Sequence, residues 1–143
     1  RVEGHEEYEK YLHELVINNN LSCIVSFIGY TANVHKYLNN ADLFCFTPTW
    51  EHSFPNVILE AMAMSLPVLA FNRGGIKEQI EDGINGYLIE NEEELRDKIK
   101  ILFYDREKLK KMANNSLSIL TDKFSLDKQI SEINNIYSKL LIK

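Results

Sequence analysis

The chain has 143 residues, enough for one domain with a real core. It is 45% hydrophobic and 26% charged, as soluble globular proteins are, and its net charge of −5 argues against a nucleic-acid-binding surface, which carries a basic patch. Phosphate binding stays open, because a helix N-terminus binds anions without net positive charge.

The predicted elements alternate. Residues 6–20, EEYEKYLHELVINNN, set Tyr8, Tyr11, Leu12, Leu15 and Val16 at helical spacing and end in an Asn-rich turn. Residues 23–29, CIVSFIG, are short, apolar and partly β-branched, and predict a strand. A short helix over 33–41 follows, then a second strand over 43–48 stopped by Pro48. FPNVILEAMAMS, residues 54–65, predicts a third helix with Pro55 in its first turn, where a missing N–H costs nothing. PVLAFN (67–72) is a third strand, RGG (73–75) a glycine turn and IKEQIED (76–82) a short helix. A fourth strand is expected over 86–89, then helices over 92–103, 106–120 and 126–142. The last carries Ile130, Ile133, Tyr137 and Leu140 as an apolar stripe, expected to pack in the core or, as the alternative, against a further domain.

Apolar strands separated by helices imply an α/β domain whose mostly parallel sheet is covered on both faces. Residues 1–143 are expected to form a single domain, with 91–143 as its helical C-terminal part. Such sheets bind ligands at the carboxyl ends of their strands. That rule selects residues 29–33, 48–56 and 72–76. Cys23 and Cys45 sit in apolar runs and are expected to be buried free thiols. No apolar run is long enough to span a membrane, and the opening RVEGHEEYEK lacks a signal-peptide pattern. The first residue is Arg1, which predicts a piece of a longer protein.

Three constellations could carry chemistry. Ser53 is placed to cap the helix that Pro55 begins, leaving the N–H groups of Asn56 and Val57 facing the crevice as an anion site. Glu60, further along, either faces solvent or accepts hydrogen bonds from a ribose diol, worth ~3 kcal/mol when partly buried. Gly74 and Gly75 form either a plain tight turn or a place where backbone approaches a ligand, with Arg73 and Lys77 near enough to meet a phosphate. Their spacing matches neither a dinucleotide fingerprint nor a Walker loop. Gly29 ends the first strand; the loop it opens either contacts the base or sugar of a bound donor, which makes Gly29 a candidate donor-binding residue, or, the preferred alternative, caps the next helix through Thr31 or Asn33. His5, His13 and His35 are expected on solvated helix faces; His52 stands apart, beside Glu51 at the ligand edge. No Asp-x-Asp occurs and no metal-ligand spacing is found, so no metal is expected.

Taken together, GYTANVHKYLNNADLFCFTPTWEHSFPNVILEAMAMSLPVLAFNRGGIKEQIEDGINGYLIE closely resembles the C-terminal, donor-binding half of family 4 glycosyltransferases. These are retaining enzymes of the GT-B architecture, with two Rossmann-like domains facing across a cleft. The resemblance implies a Rossmann-like three-layer domain without its first strand or strands. It gives Glu60 the ribose hydroxyls, and it gives Ser53, Phe54, Pro55, Asn56 and Val57 backbone contacts to the sugar and diphosphate. The family places a first glutamate near the reacting sugar, with seven residues between it and the second. Here eight residues separate Glu51 from Glu60, and strict counting lands on His52. Either the loop bulges by one residue and Glu51 acts, the alternative preferred because loops absorb single insertions, or His52 has replaced it. The arginine and lysine that the family uses upstream have no counterpart; Arg1 alone stands near their place.

The implied reaction transfers a sugar from a nucleotide diphosphate sugar, with uridine the favoured base, and requires no cofactor. The acceptor, a glycan or lipid-linked saccharide, would be held mainly by a further N-terminal domain. This chain alone would then be nearly inactive. The implied setting is bacterial surface-polysaccharide synthesis in the cytoplasm, with peripheral contact at the inner membrane face as an option. The rival readings are a non-catalytic nucleotide-binding module of the same fold and a sugar-nucleotide 2-epimerase.

Overall fold

A computed structural model describes residues 6–141. The chain divides into two compact units, Arg1–Val34 and His35–Lys143. Arg1, His5 and Ile142, about which the sequence raised expectations, lie outside the described residues.

The first unit contains helix α1 (Glu6–Asn18), none of whose residues is buried. His13 is exposed as expected, yet its ring packs on Phe27 at 4.0 Å between centroids. The predicted strand over 23–29 does not form. The N–H groups of Ile24 and Val25 both turn back to the Leu21 carbonyl. An apolar, β-branched run favours extended backbone, but a strand exists only where a neighbour takes its hydrogen bonds. No ladder pairs this run among the described residues, and Ile24 is 78% exposed. Cys23 is therefore exposed, contrary to the expectation of a buried thiol.

The second unit is the α/β body. In chain order it comprises α2 (His35–Leu38), β1 (Phe44–Phe46), α3 (Asn56–Ala63), β2 (Val68–Phe71), a 3-10 turn (Gly74–Glu78), β3 (Gly86–Ile89), α4 (Glu92–Tyr104), α5 (Arg106–Phe124) and α6 (Leu126–Leu141). The three strands form a parallel sheet in the order β1-β2-β3, with Phe44 opposite Val68 and Val68 opposite Gly86. The central strand β2 is buried along most of its length, which is why PVLAFN reads as unbroken apolar sequence.

Alternation along the strands separates two cores. One face gathers Leu69, Tyr87 and Ile89 against Leu102 of α4 and Met112 of α5, with Leu43, Phe71, Leu95 and Leu109 around them. Toward the other face α3 packs on β2 and supplies buried Ile58, Ala61 and Met62. Helix α5 touches both α3 and α4. It is tied to the approach to β3 by Ser116 Oγ donating to the Asn85 carbonyl (3.1 Å) and Asn115 Nδ2 donating to that of Ile84 (2.9 Å). Burying a side chain such as Leu69 or Ile89 contributes about 1.5–3 kcal/mol, so the sheet and its two coats hold the loops at the strand ends.

Two further expectations fail here. Cys45 is exposed, because β1 is an edge strand of this sheet and its middle side chain is uncovered. Helix α6 buries no residue among those described: it packs mainly on α5, leaving Ile130, Ile133, Tyr137 and Leu140 exposed. No helix among the described residues is long and apolar enough to cross a membrane.

Candidate functional site

The carboxyl end of β1 leads through Pro48 and the loop Thr49–Pro55 into α3. Pro48 is buried and anchors the loop; Trp50 and Glu51 are exposed. The half-buried His52 ring lies edge-on to Phe46 at 5.2 Å and tilted against Trp50 at 5.7 Å. The two candidates for the first-glutamate role thus differ: His52 is held by aromatic packing, and Glu51 is an open carboxylate. Glu51 takes no ion pair or side-chain hydrogen bond among the described residues. Phe54 meets Phe124 edge-on at 5.6 Å.

Pro55 is the boundary residue of α3, in extended conformation, and no side chain caps the helix. Ser53 therefore does not cap it, contrary to expectation. The helix starts at Asn56, so Ser53 stands two residues too early to reach the first-turn N–H groups in the geometry a cap needs. The Pro55 carbonyl accepts from the Ile58 N–H at 3.1 Å. The N–H groups of Asn56 and Val57 donate to nothing among the described residues, and the helix dipole adds partial positive charge there. Glu60 follows one turn later on the face that Asn56 and Val57 share. It is half-buried and, among the described residues, its carboxylate has no ion pair or hydrogen bond. Two free donors and one free acceptor on one helix face can hold an anion and a hydroxylated group side by side.

The loop after β2 is pressed against this one. The Gly75 N–H donates to the His52 carbonyl at 2.8 Å. A Cβ at Gly74, where φ is +56°, would lie 2.3 Å from the His52 carbonyl oxygen, and one at Gly75 would lie 1.6 Å from that of Ser53. Both positions require glycine, and what approaches their Cβ side is the Thr49–Pro55 loop itself. Beyond them Gln79, 1% exposed, donates from Nε2 to the Pro55 carbonyl at 3.2 Å. Its Oε1 is buried without a partner, which costs about 1–3 kcal/mol. The amide orientation follows from Pro55: reversing it would set two acceptors against each other.

Arg73, with its guanidinium 5.9 Å from the Phe71 ring centre, and Lys77 are exposed beside this turn. An open cleft of 540 Å3 runs along the carboxyl ends of the strands, lined by Thr49, Phe71, Arg73, Glu90, Glu92 and Glu93 among others. Three glutamates and the Arg73 guanidinium give this cleft a mixed charge, whereas the start of α3 presents only donors. Gly29 belongs to the first unit, with φ +66° and open space where a Cβ would stand.

Residues 1–118 match the sequence model of the glycosyl transferases group 1. The chain belongs to this family. The fold is α/β and Rossmann-like, that of the C-terminal half of GT-B glycosyltransferases. It superposes on the Anabaena protein Alr3699/HepE in complex with UDP with a TM-score of 0.90 at 30% identity, over 96% of this chain and 38% of that one. It superposes on the C-terminal domain of the group 1 glycosyl transferase LpcC from Francisella tularensis with a TM-score of 0.74 at 25% identity, over 87% of this chain and 66% of that one. By sequence it is 30% identical over 135 residues to an uncharacterized glycosyltransferase of Haemophilus influenzae, covering 92% of this chain and 38% of that protein. It is 32% identical over 130 residues to the N-acetyl-alpha-D-glucosaminyl L-malate synthase of Bacillus anthracis, covering 90% and 34%. The chain thus spans under two fifths of the length of the Anabaena, Haemophilus and Bacillus proteins.

In this group 1 chain the buried Gln79, in contact with the Pro55 carbonyl, was not among the residues the sequence singled out. Its one available signal was a polar residue between the buried Ile76 and Ile80 in IKEQI, which core packing does not call for.

Proposed function

We propose that this chain is the donor-binding half of a retaining glycosyltransferase that moves a sugar from a UDP-sugar to a glycan or lipid-linked acceptor. The observation that carries the reading is the pair of unpartnered N–H groups at Asn56 and Val57 with the free Glu60 carboxylate one turn away. A diphosphate fits the first and a ribose diol the second. The likeness to HepE, a protein solved with UDP, supports uridine as the base.

In this reading the helix N-terminus takes up the negative charge that builds on the departing diphosphate, assisted by Arg73 and Lys77 on the neighbouring turn, without a metal. Glu60 fixes the ribose and so orients the donor. Glu51, rather than the packed His52, meets the sugar near the reacting centre. The acceptor binds mainly to a further domain, and the reaction proceeds in the cytoplasm.

The test is product analysis with the full-length protein, UDP-, GDP- and ADP-sugars and a lipid-linked saccharide acceptor. Transfer from a UDP-sugar with the anomeric configuration retained is expected. Inversion at the anomeric carbon would overturn the mechanism. An epimerised sugar nucleotide, or nucleotide binding without turnover, would favour an epimerase or a non-catalytic module instead.

A further inference from the structure

We infer that Gln79 is a positioning residue for the donor site: its side-chain amide fixes the Pro55 carbonyl and thereby the aim of the free N–H groups at the start of α3. The inference rests on the donor-site reading above. Its own ground is local geometry. Helix α3 has no side-chain cap; within its own crossing the Pro55 carbonyl is held only by the Ile58 N–H of the helix's first turn. A second hold comes from outside, from the segment after β2. Gly75 holds the His52 carbonyl, and Gln79 holds that of Pro55. These two bonds bracket Ser53 and Phe54 and end one residue before Asn56.

Gln79 is itself anchored. Its backbone carbonyl accepts from Asn85 Nδ2 at 3.3 Å, and Asn85 Oδ1 accepts from the Glu81 N–H at 2.8 Å. Asn85 is fully buried at the approach to β3, so the clamp reaches back to the sheet. Apolar packing alone would be served better by a leucine or methionine than by an amide that leaves Oε1 unpartnered. The amide is explained by the one thing it does that a hydrocarbon does not, which is to hold the Pro55 carbonyl.

The experiment compares Gln79→Met, Gln79→Glu and Glu60→Ala in the full-length enzyme by donor KM, acceptor KM and melting temperature. Gln79→Met, close in length and shape, is expected to raise the donor KM roughly tenfold while the acceptor KM stays unchanged, the equivalent of one net hydrogen bond. A merely structural glutamine would lower the melting temperature and leave the donor KM of the folded enzyme alone. Gln79→Glu adds a sign. Its carboxylate repels the Pro55 carbonyl, and its protonated form donates to it. The ratio of variant to wild-type donor KM should therefore fall toward one as pH drops through the glutamate's pKa, which burial raises. A donor KM within twofold of wild type in folded Gln79→Met, with Glu60→Ala impaired, overturns the inference and leaves the donor site standing. A donor KM unchanged in Glu60→Ala overturns both. If Gln79→Met does not fold, Gln79→Glu decides: a pH-independent ratio is the contradicting result.

Discussion

Two strand-to-helix crossings lie side by side at the carboxyl edge of the sheet, and they are built for different ends. After β1 the chain makes an open loop and enters a regular helix whose first N–H groups are unpartnered and whose carboxylate is free. After β2 it makes a glycine pair and a single 3-10 turn that ends on a buried amide. The first crossing leaves polar groups without a partner among the described residues, and the second gives its groups to the first. A uncapped helix start needs support from elsewhere, because orphan donors left for a ligand cannot also hold the helix in place.

The difference can be broken most severely at the contact between the crossings. Gly75→Ala would set a methyl group into the Ser53 carbonyl, so the two loops must part. A loss of about 3 kcal/mol is expected, as for a severe overpacking, read from the denaturation midpoint together with a fall in turnover. Within the first crossing, Glu51→Gln should lower turnover on the order of a hundredfold with stability unchanged. His52→Ala should cost about 1 kcal/mol of stability from lost ring packing on Phe46 and Trp50, and spare most of the turnover. The reverse pattern would make His52 the residue that meets the sugar. The smallest effect serves as a control: Gly83 has φ +75° but nothing within 4 Å of a Cβ, so Gly83→Ala carries only backbone strain, about 1 kcal/mol. A Gly75→Ala loss no larger than that of Gly83→Ala would mean that the two loops do not depend on each other.

The parts of the fold that were legible are those in which local pattern and tertiary need coincide. β3 begins and ends where GYLI predicts, and α4 begins at Glu92 as expected; there the structure adds a cap, the Asn91 side chain accepting from the Glu94 N–H at 2.9 Å. The run at 23–29 misled because hydrophobic sequence records a tendency to be covered, not the strand that covers it. The stripe on α6 misled for the same reason. At the candidate site, Glu51, His52 and Glu60 came to notice through the family resemblance, since residue chemistry alone left Glu60 open between solvent and a ligand. The clamp did not come to notice. A hydrogen bond from Gln79 to Pro55 joins residues 24 apart whose meeting depends on how two βα crossings nest, and no periodicity encodes that. The sequence places Ser53 where a cap would suit it, but the helix begins one residue after the proline, and the structure supplies the missing hold from the other crossing.

The central claim is that the start of α3 and Glu60 bind the donor nucleotide. Calorimetric titration of UDP into the full-length protein and into its Glu60→Ala variant tests it most directly. The account predicts binding by the wild type and affinity weaker by roughly a hundredfold in the variant, the equivalent of two charge-assisted bonds to the ribose. Equal affinity in both proteins would contradict it.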